Sequence, residues 1–307
     1  MLKLERLLCP VDLSETSQHA LEQATVVAGW FESRLTVQHV YSQVFLPIPS
    51  LAMPGYSADL VVGEDDRRRL VDDVTAFAAP ARQAGVETDV VVEMGQPIPR
   101  ILALATALPA DLIVMGTHGA SGFEHFVLGS VTEKVLRKAV CPVLTVPPRA
   151  QTRSALPFTR ILCAVDFSES SLAALTMALA FAQEADAHLA ILHVLDWPIE
   201  EPVAASTEVP AGGPIFDLQR YRRALESDAR ARLATLVPDE VRNWCSPEVS
   251  VAHGKPYSEI LKAANEDRAD LIVLGVRGRR TLDLALFGST ANQVVRQASC
   301  PVLTVRR

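Results

Sequence analysis

Short apolar runs rich in Val, Ile and Leu recur along the chain, separated by longer stretches in which Ala mixes with charged residues. Apolar runs of about 4–8 residues bounded by turn residues read as buried strands, and the longer periodic stretches read as helices. In the first half this pattern predicts strands near residues 6–11, 35–41, 87–93, 111–115 and 142–146. Helices are predicted near 15–31, 65–84, 97–107 and 130–138. Ser14 and Ser168 stand where N-caps are wanted, before acidic first turns. Pro97 and Pro256 suit a first helical turn, and Gly85 suits a helix stop. Strands alternating with helices imply a parallel sheet covered on both faces.

The pattern occurs twice. LLCPVDLSETS (7–17) matches ILCAVDFSESS (161–171), and LTVQHV (35–40) matches LAILHV (189–194). GQPIPRIL (95–102) matches GKPYSEIL (254–261), ADLIVMG (110–116) matches ADLIVLG (269–275), and VCPVLTV (140–146) matches SCPVLTV (299–305). The order is the same in both halves, with an offset of 154 residues at first and 159 from the third match onward. The predicted domains are therefore residues 1–148 and 158–307, joined by a polar, Pro-containing linker over Pro147–Thr159. Two Pro- and Gly-rich segments, Ser42–Gly63 and Leu195–Phe216, follow the second strand of each copy. A lid over a site and decoration of an edge fit them equally.

Composition narrows the function classes. Apolar residues make up 49% and aromatics 6%, which suits buried parallel strands under Ala-rich helices. A net charge of −7 argues against general nucleic-acid binding. The imbalance lies mostly in the first half, where residues 1–150 hold 12 Lys and Arg against 17 Asp and Glu. Any bias towards anions therefore favours the second half. No apolar run is long enough to span a membrane, and the N-terminal stretch lacks a signal-peptide pattern, so the expected location is cytoplasmic. The five cysteines form no C-x-x-C pair, and Cys9, Cys141, Cys163 and Cys300 sit in or beside apolar strands, as small buried hydrophobes. His39 and His193 match near strand ends and read as structural, and no metal site is expected.

The chemistry concentrates after the fourth strand of each copy. Gly116 and Gly119 are followed after nine residues by Gly129-Ser130, and Gly275 and Gly278 after nine by Gly288-Ser289. Glycine lets backbone approach an anion closely and take positive φ. The free N–H groups opening the next helix then point at that anion, aided by the helix dipole. Asp12 and Asp166 end the first strand of each copy on the same rim, where open α/β sheets bind ligands. Either carboxylate could accept hydrogen bonds from ribose or base, or simply order the strand-to-helix turn beside Ser14 or Ser168.

With these residues in hand, both halves resemble universal stress protein domains, and the chain resembles a tandem member of the branch marked by the G-x2-G-x9-G-S/T spacing. The resemblance implies two Rossmann-like domains of the adenine nucleotide α-hydrolase type, each a five-stranded parallel sheet with helices on both faces. It implies an adenine nucleotide ligand, ATP or else ADP or AMP, with Mg²⁺. By position, Pro10, Val11, Asp12 and Val40 would meet the adenosine in the first copy, and Gly116, Gly119, Gly129, Ser130 and Val131 the phosphates. In the second copy Ala164, Val165, Asp166 and Val194 would meet the adenosine. Gly275, Arg277, Gly278, Arg279, Gly288, Ser289 and Thr290 would meet the phosphates. Ala120 and Glu124 depart from the family's basic loop, whereas Arg277, Arg279 and Arg280 either favour a polyphosphate in the second copy or form a solvated charged loop, and for any one arginine the two fit equally. The family also implies pairing of domains through their final strands, here within one chain, with a homodimer of such chains as a further step.

No P-loop lysine, G-x-S-x-G elbow or H-E-x-x-H helix is present in the sequence. The expected function is thus a stress-response nucleotide-binding module acting as sensor or regulator, with no assigned catalytic residue. The alternatives are a slow ATPase or phosphotransferase using Glu124 or Asp283, and a nucleotide-free interaction scaffold.

Overall fold

The computed structural model describes residues 2–42, 64–119, 128–148, 158–196, 218–239, 241, 245, 247–276 and 287–306. The chain divides into two compact units, one of residues 3–155 and one of residues 156–307 together with residues 1–2. Most of the two Pro- and Gly-rich segments and of the linker lies outside the described residues.

The first unit contains β1 (Arg6–Val11), α1 (Glu15–Trp30), β2 (Arg34–Tyr41), α2 (Glu64–Phe77), α3 (Ala79–Gln83), β3 (Thr88–Met94), α4 (Pro97–Ala107), β4 (Leu112–Gly116), α5 (Ser130–Lys138) and β5 (Val143–Val146). Its strands pair in parallel in the order β3-β2-β1-β4-β5. The chain winds outward from β1 to β3, then crosses to β4 on the other side of β1. That reversal between β1 and β4 is the switch point at which such sheets open a crevice. Leu7, Leu8 and Cys9 of β1 and Leu112, Ile113 and Val114 of β4 are at most 1% exposed, so the middle of the sheet is the core. Helix α1 packs on β1, β2, β4 and β5 and touches α3, while α4 touches β2 and α5. Helices thus cover both faces.

The second unit repeats the plan with β6 (Arg160–Ala164), α6 (Glu169–Ala185), β7 (His188–Leu195), α7 (Leu218–Leu236), β8 (Glu248–His253), α8 (Pro256–Glu266), β9 (Leu271–Gly275), α9 (Ser289–Gln297) and β10 (Val302–Val305). Its parallel order is β8-β7-β6-β9-β10. One continuous helix, α7, stands where the first unit has α2 and α3. The single helix expected over 65–84 is broken at Ala78, because Pro80 removes an N–H and its ring excludes the carbonyl four residues back. The Arg67–Arg69 run lies on exposed α2, with Arg68 3.9 Å from both Glu64 and Asp65.

Local chemistry explains where the elements begin and end. Ser14 accepts from the Ser17 N–H at 3.2 Å, and Ser168 accepts from the Ser171 N–H at 3.3 Å, so both are N-caps. Gly85 closes the turn after α3 at φ +85, where a side chain would be strained. Asp111, at the start of β4, accepts from the N–H groups of Glu5 (2.8 Å) and Arg6 (2.9 Å) and so satisfies the open end of β1. Asp270 does the same for Thr159 (2.8 Å) and Arg160 (2.9 Å).

Candidate functional site

In the first unit the chain leaves β4 at Gly116 and returns at Leu128. The Gly129 N–H donates to the Thr117 carbonyl at 2.7 Å, pinning the return beside the departure. Helix α5 therefore starts on the rim of the crevice. No side chain among the described residues caps it, so the first-turn N–H groups of Ser130, Val131 and Thr132 carry the partial positive charge of the helix end. The second unit is built alike, with the Gly288 N–H donating to the Val276 carbonyl at 2.9 Å and α9 likewise uncapped. One difference concerns charge. Glu133 lies in the first turn of α5, whereas α9 has no acid there.

The described glycines of this loop serve close packing rather than positive φ. None lies in the left-handed region, and Gly129 and Gly288 have φ of −55 and −58. The expectation of positive φ is thus corrected. A Cβ on Gly116 would stand 2.7 Å from the Thr16 methyl, and one on Gly275 would stand 2.6 Å from the Ser171 amide nitrogen. The ends of β4 and β9 lie directly on the first turns of α1 and α6. A Cβ on Gly129 would meet the Thr117 carbonyl at 2.9 Å, and one on Gly288 the Val276 carbonyl at 2.7 Å. A Cβ on Gly119 would meet an Asp12 carboxylate oxygen at 2.5 Å, so the glycine leaves room for that carboxylate.

Both aspartates order the turn that follows them. Asp12 Oδ1 accepts from the Ser14 N–H (3.1 Å) and hydroxyl (2.5 Å), and Asp166 Oδ1 from the same groups of Ser168 (3.0 and 2.5 Å). The residues between them, Leu13 and Phe167, take φ of 62 and 63, a conformation non-glycine residues adopt rarely. A strained residue at the same place in both units, held by the flanking hydrogen bonds, fits a site whose geometry matters.

In the first unit a cleft of about 360 Å³ brings together Pro10, Val11, Asp12, Val40, Gly116, Gly119, Gly129, Ser130 and Val131. In the second, a cleft of about 480 Å³ gathers Ala164, Val165, Asp166, Val194, Gly275, Gly288, Ser289 and Thr290. Both volumes fall within the roughly 300–1,000 Å³ of small-molecule sites. Arg277, Gly278, Arg279, Arg280 and Asp283, like Ala120 and Glu124, lie outside the described residues. Sequence reasoning missed several lining residues: Gln38, Pro97, Ile101, Met115 and His118 in the first cleft, and Asp196, Pro256 and Ile260 in the second. The prolines and Ile101 and Ile260 belong to the repeated GQP and GKP segments, so the repeat itself was the available signal.

The matched histidines are structural. His39 Nδ1 donates to the Val11 carbonyl at 2.9 Å, and His193 Nδ1 to the Val165 carbonyl at 2.6 Å, tying the end of the second strand to the first. The His193 ring also lies 4.7 Å from that of Phe167, which carries the Arg232 guanidinium 4.1 Å above its centroid. All five cysteines are free and buried. Burial pushes the Cys9 and Cys300 thiols up to about 12 and the Cys141 thiol up to about 11, and it raises Cys163 and Cys245 as well. No helix among the described residues is long and apolar enough to cross a membrane.

Each unit is thus a doubly wound, Rossmann-like α/β domain with an anion-receptive helix end beside a carboxylate. The model of the universal stress protein family matches residues 3–147 and again 157–306, and the chain belongs to that family as a tandem of two repeats. A universal stress protein of Mycolicibacterium smegmatis is 26% identical over 98% of this chain and 96% of its own length. One from Thermus aquaticus is 34% identical over 48% of this chain and 99% of its own. The crystal structure of a universal stress protein from Archaeoglobus fulgidus superposes with a TM-score of 0.68 at 24% identity, covering 98% of each chain.

Proposed function

We propose that each repeat holds an adenine nucleotide, ATP in the first instance, with ADP and AMP as smaller occupants. The phosphates lie at the N-terminus of α5 or α9 and the ribose lies against Asp12 or Asp166. Mg²⁺ enters as the counter-ion of the phosphates. The protein then acts as a stress-responsive sensor or regulator, its nucleotide state read out through shape or assembly. The observation that carries this reading is the uncapped helix end facing a cleft with an aspartate on its rim, built twice at equivalent places. The second cleft is the tighter site in this reading, since it is larger and α9 has no first-turn acid to oppose phosphate.

Replacing a loop glycine tests this poorly, because a Cβ on Gly288 strikes the Val276 carbonyl whether or not a ligand binds. Ser130→Asp and Ser289→Asp are cleaner. Both serines are exposed, and a carboxylate at the first position of a helix stabilises it by roughly 0.3–1 kcal/mol while repelling phosphate. Calorimetric titration with Mg-ATP is expected to show two sites in the unaltered chain and one in each variant, with melting temperatures unchanged or raised. Unaltered stoichiometry in a folded double variant would overturn the proposal.

We further propose that β5 and β10, the final strand of each repeat, associate within the chain. Two repeats joined by one linker support this reading, since β5 and β10 each end the strand order of their unit and an apolar edge strand invites a further strand. Halves that separate on a sizing column after linker cleavage, without denaturant, would refute it.

A further inference from the structure

The clefts of the two repeats differ on β2 and β7. In the first, Gln38 lines the cleft two residues before Val40 on the same face of β2, and its side chain is buried, with 1% exposure. Its Nε2 donates to Glu93 Oε2 at 2.8 Å, across the β2–β3 pair. Its Oε1 is buried with no hydrogen-bond partner among the described residues. Glu93 settles the orientation of the amide, because a carboxylate only accepts and the NH₂ must face it. What Gln38 has left for a ligand is a carbonyl. In the second repeat the equivalent residues are Leu192 and Ala252, which make no such offer.

The topology places this carbonyl at the base end of the cleft. Phosphates belong at α5, which follows β4, and the remainder of a nucleotide then extends across β1 towards β2. The neighbouring wall is apolar, with Val11, Val40, Ile101 and Met115. An adenine edge presents an N6 amino donor where guanine and hypoxanthine present an O6 acceptor. A buried carbonyl without a partner favours the first and repels the second.

We propose that Gln38, oriented by Glu93, makes the first cleft selective for 6-aminopurine nucleotides by accepting a hydrogen bond from the amino group, and that the second cleft lacks this reader. This rests on the nucleotide reading above. The test uses the full chain carrying Ser289→Asp, titrated with ATP, ITP and purine riboside 5′-triphosphate, which lacks the 6-substituent. ATP is expected to bind at least about tenfold more tightly than either analogue, the scale of one unsatisfied buried acceptor. Gln38→Leu, which copies the second repeat, should equalise ATP and the purine riboside analogue while keeping triphosphate binding. Glu93→Ala frees the amide to turn its NH₂ towards the base, and should raise ITP affinity relative to ATP without altering Gln38 itself. Leu192→Gln in the Ser130→Asp chain should bring a preference for ATP to the second cleft. Equal affinities for the three nucleotides in the Ser289→Asp chain, or a preference that survives Gln38→Leu, overturns the role of Gln38 and leaves the nucleotide reading standing. Absence of binding by any of the three to the unaltered chain removes both.

Discussion

A Cβ at Gly275 would stand 2.6 Å from both the Ser170 hydroxyl and the Ser171 amide nitrogen, and backbone there cannot yield without moving α6. Gly275→Ala is therefore expected to lower stability by about 1–3 kcal/mol, the usual range for overpacking, read as a shift in the urea midpoint. Gly119→Ala meets only the end of the Asp12 side chain, which can swing, so its effect on folding should be smaller. The buried thiols bear on pH. Folding raises the Cys9 and Cys300 pKa values from an ordinary 9.0 to about 12. Between those limits the unfolded chain loses thiol protons that the folded chain keeps, so stability is full below about pH 9 and falls as pH rises towards 12. In an alkaline titration, thiolate absorbance should therefore appear with unfolding rather than ahead of it. The described loop glycines were legible as special positions, but the reason was not. Sequence spacing suggests anion approach and positive φ, whereas Gly116, Gly129, Gly275 and Gly288 are needed because backbone or side chain already occupies the Cβ position.

Elements were the most readable level. Apolar runs flanked by Asp, Ser, Gly and Pro mark β1, β4 and β5 and their counterparts closely, because strands buried on both faces have little room for polar residues. Ser14→Ala and Ser168→Ala should each cost about 1 kcal/mol, since each hydroxyl satisfies a helix-opening N–H and binds the preceding aspartate. Thermal melts of the two variants would check this. Loss of the cap also releases the Asp12 or Asp166 carboxylate from its turn, so nucleotide affinity should drop in the same variant. The α2–α3 break was less legible. The run from 65 to 84 has helical composition throughout, and only Pro80, placed one turn before the end, divides it.

For the whole chain, the proposed binding role predicts ATP turnover well below the roughly 1–10³ s⁻¹ of ordinary enzymes, measured as phosphate release at saturating Mg-ATP. A rate within that range, lost in Asp283→Asn, would favour a hydrolase instead. Tandem organisation and fold class follow from the chain alone, because a repeated order of strands, caps and glycines leaves few ways to wind a parallel sheet. Which residues share a cleft is another matter. Gln38 and Glu93 are 55 positions apart, and only the parallel register of β2 against β3 brings the amide to the carboxylate. Sequence periodicity assigns a side chain to a face of its own strand. The partner across the ladder, and hence which polar atom remains for a ligand, is decided by the register of strands distant in the chain, and that is a property of the folded sheet.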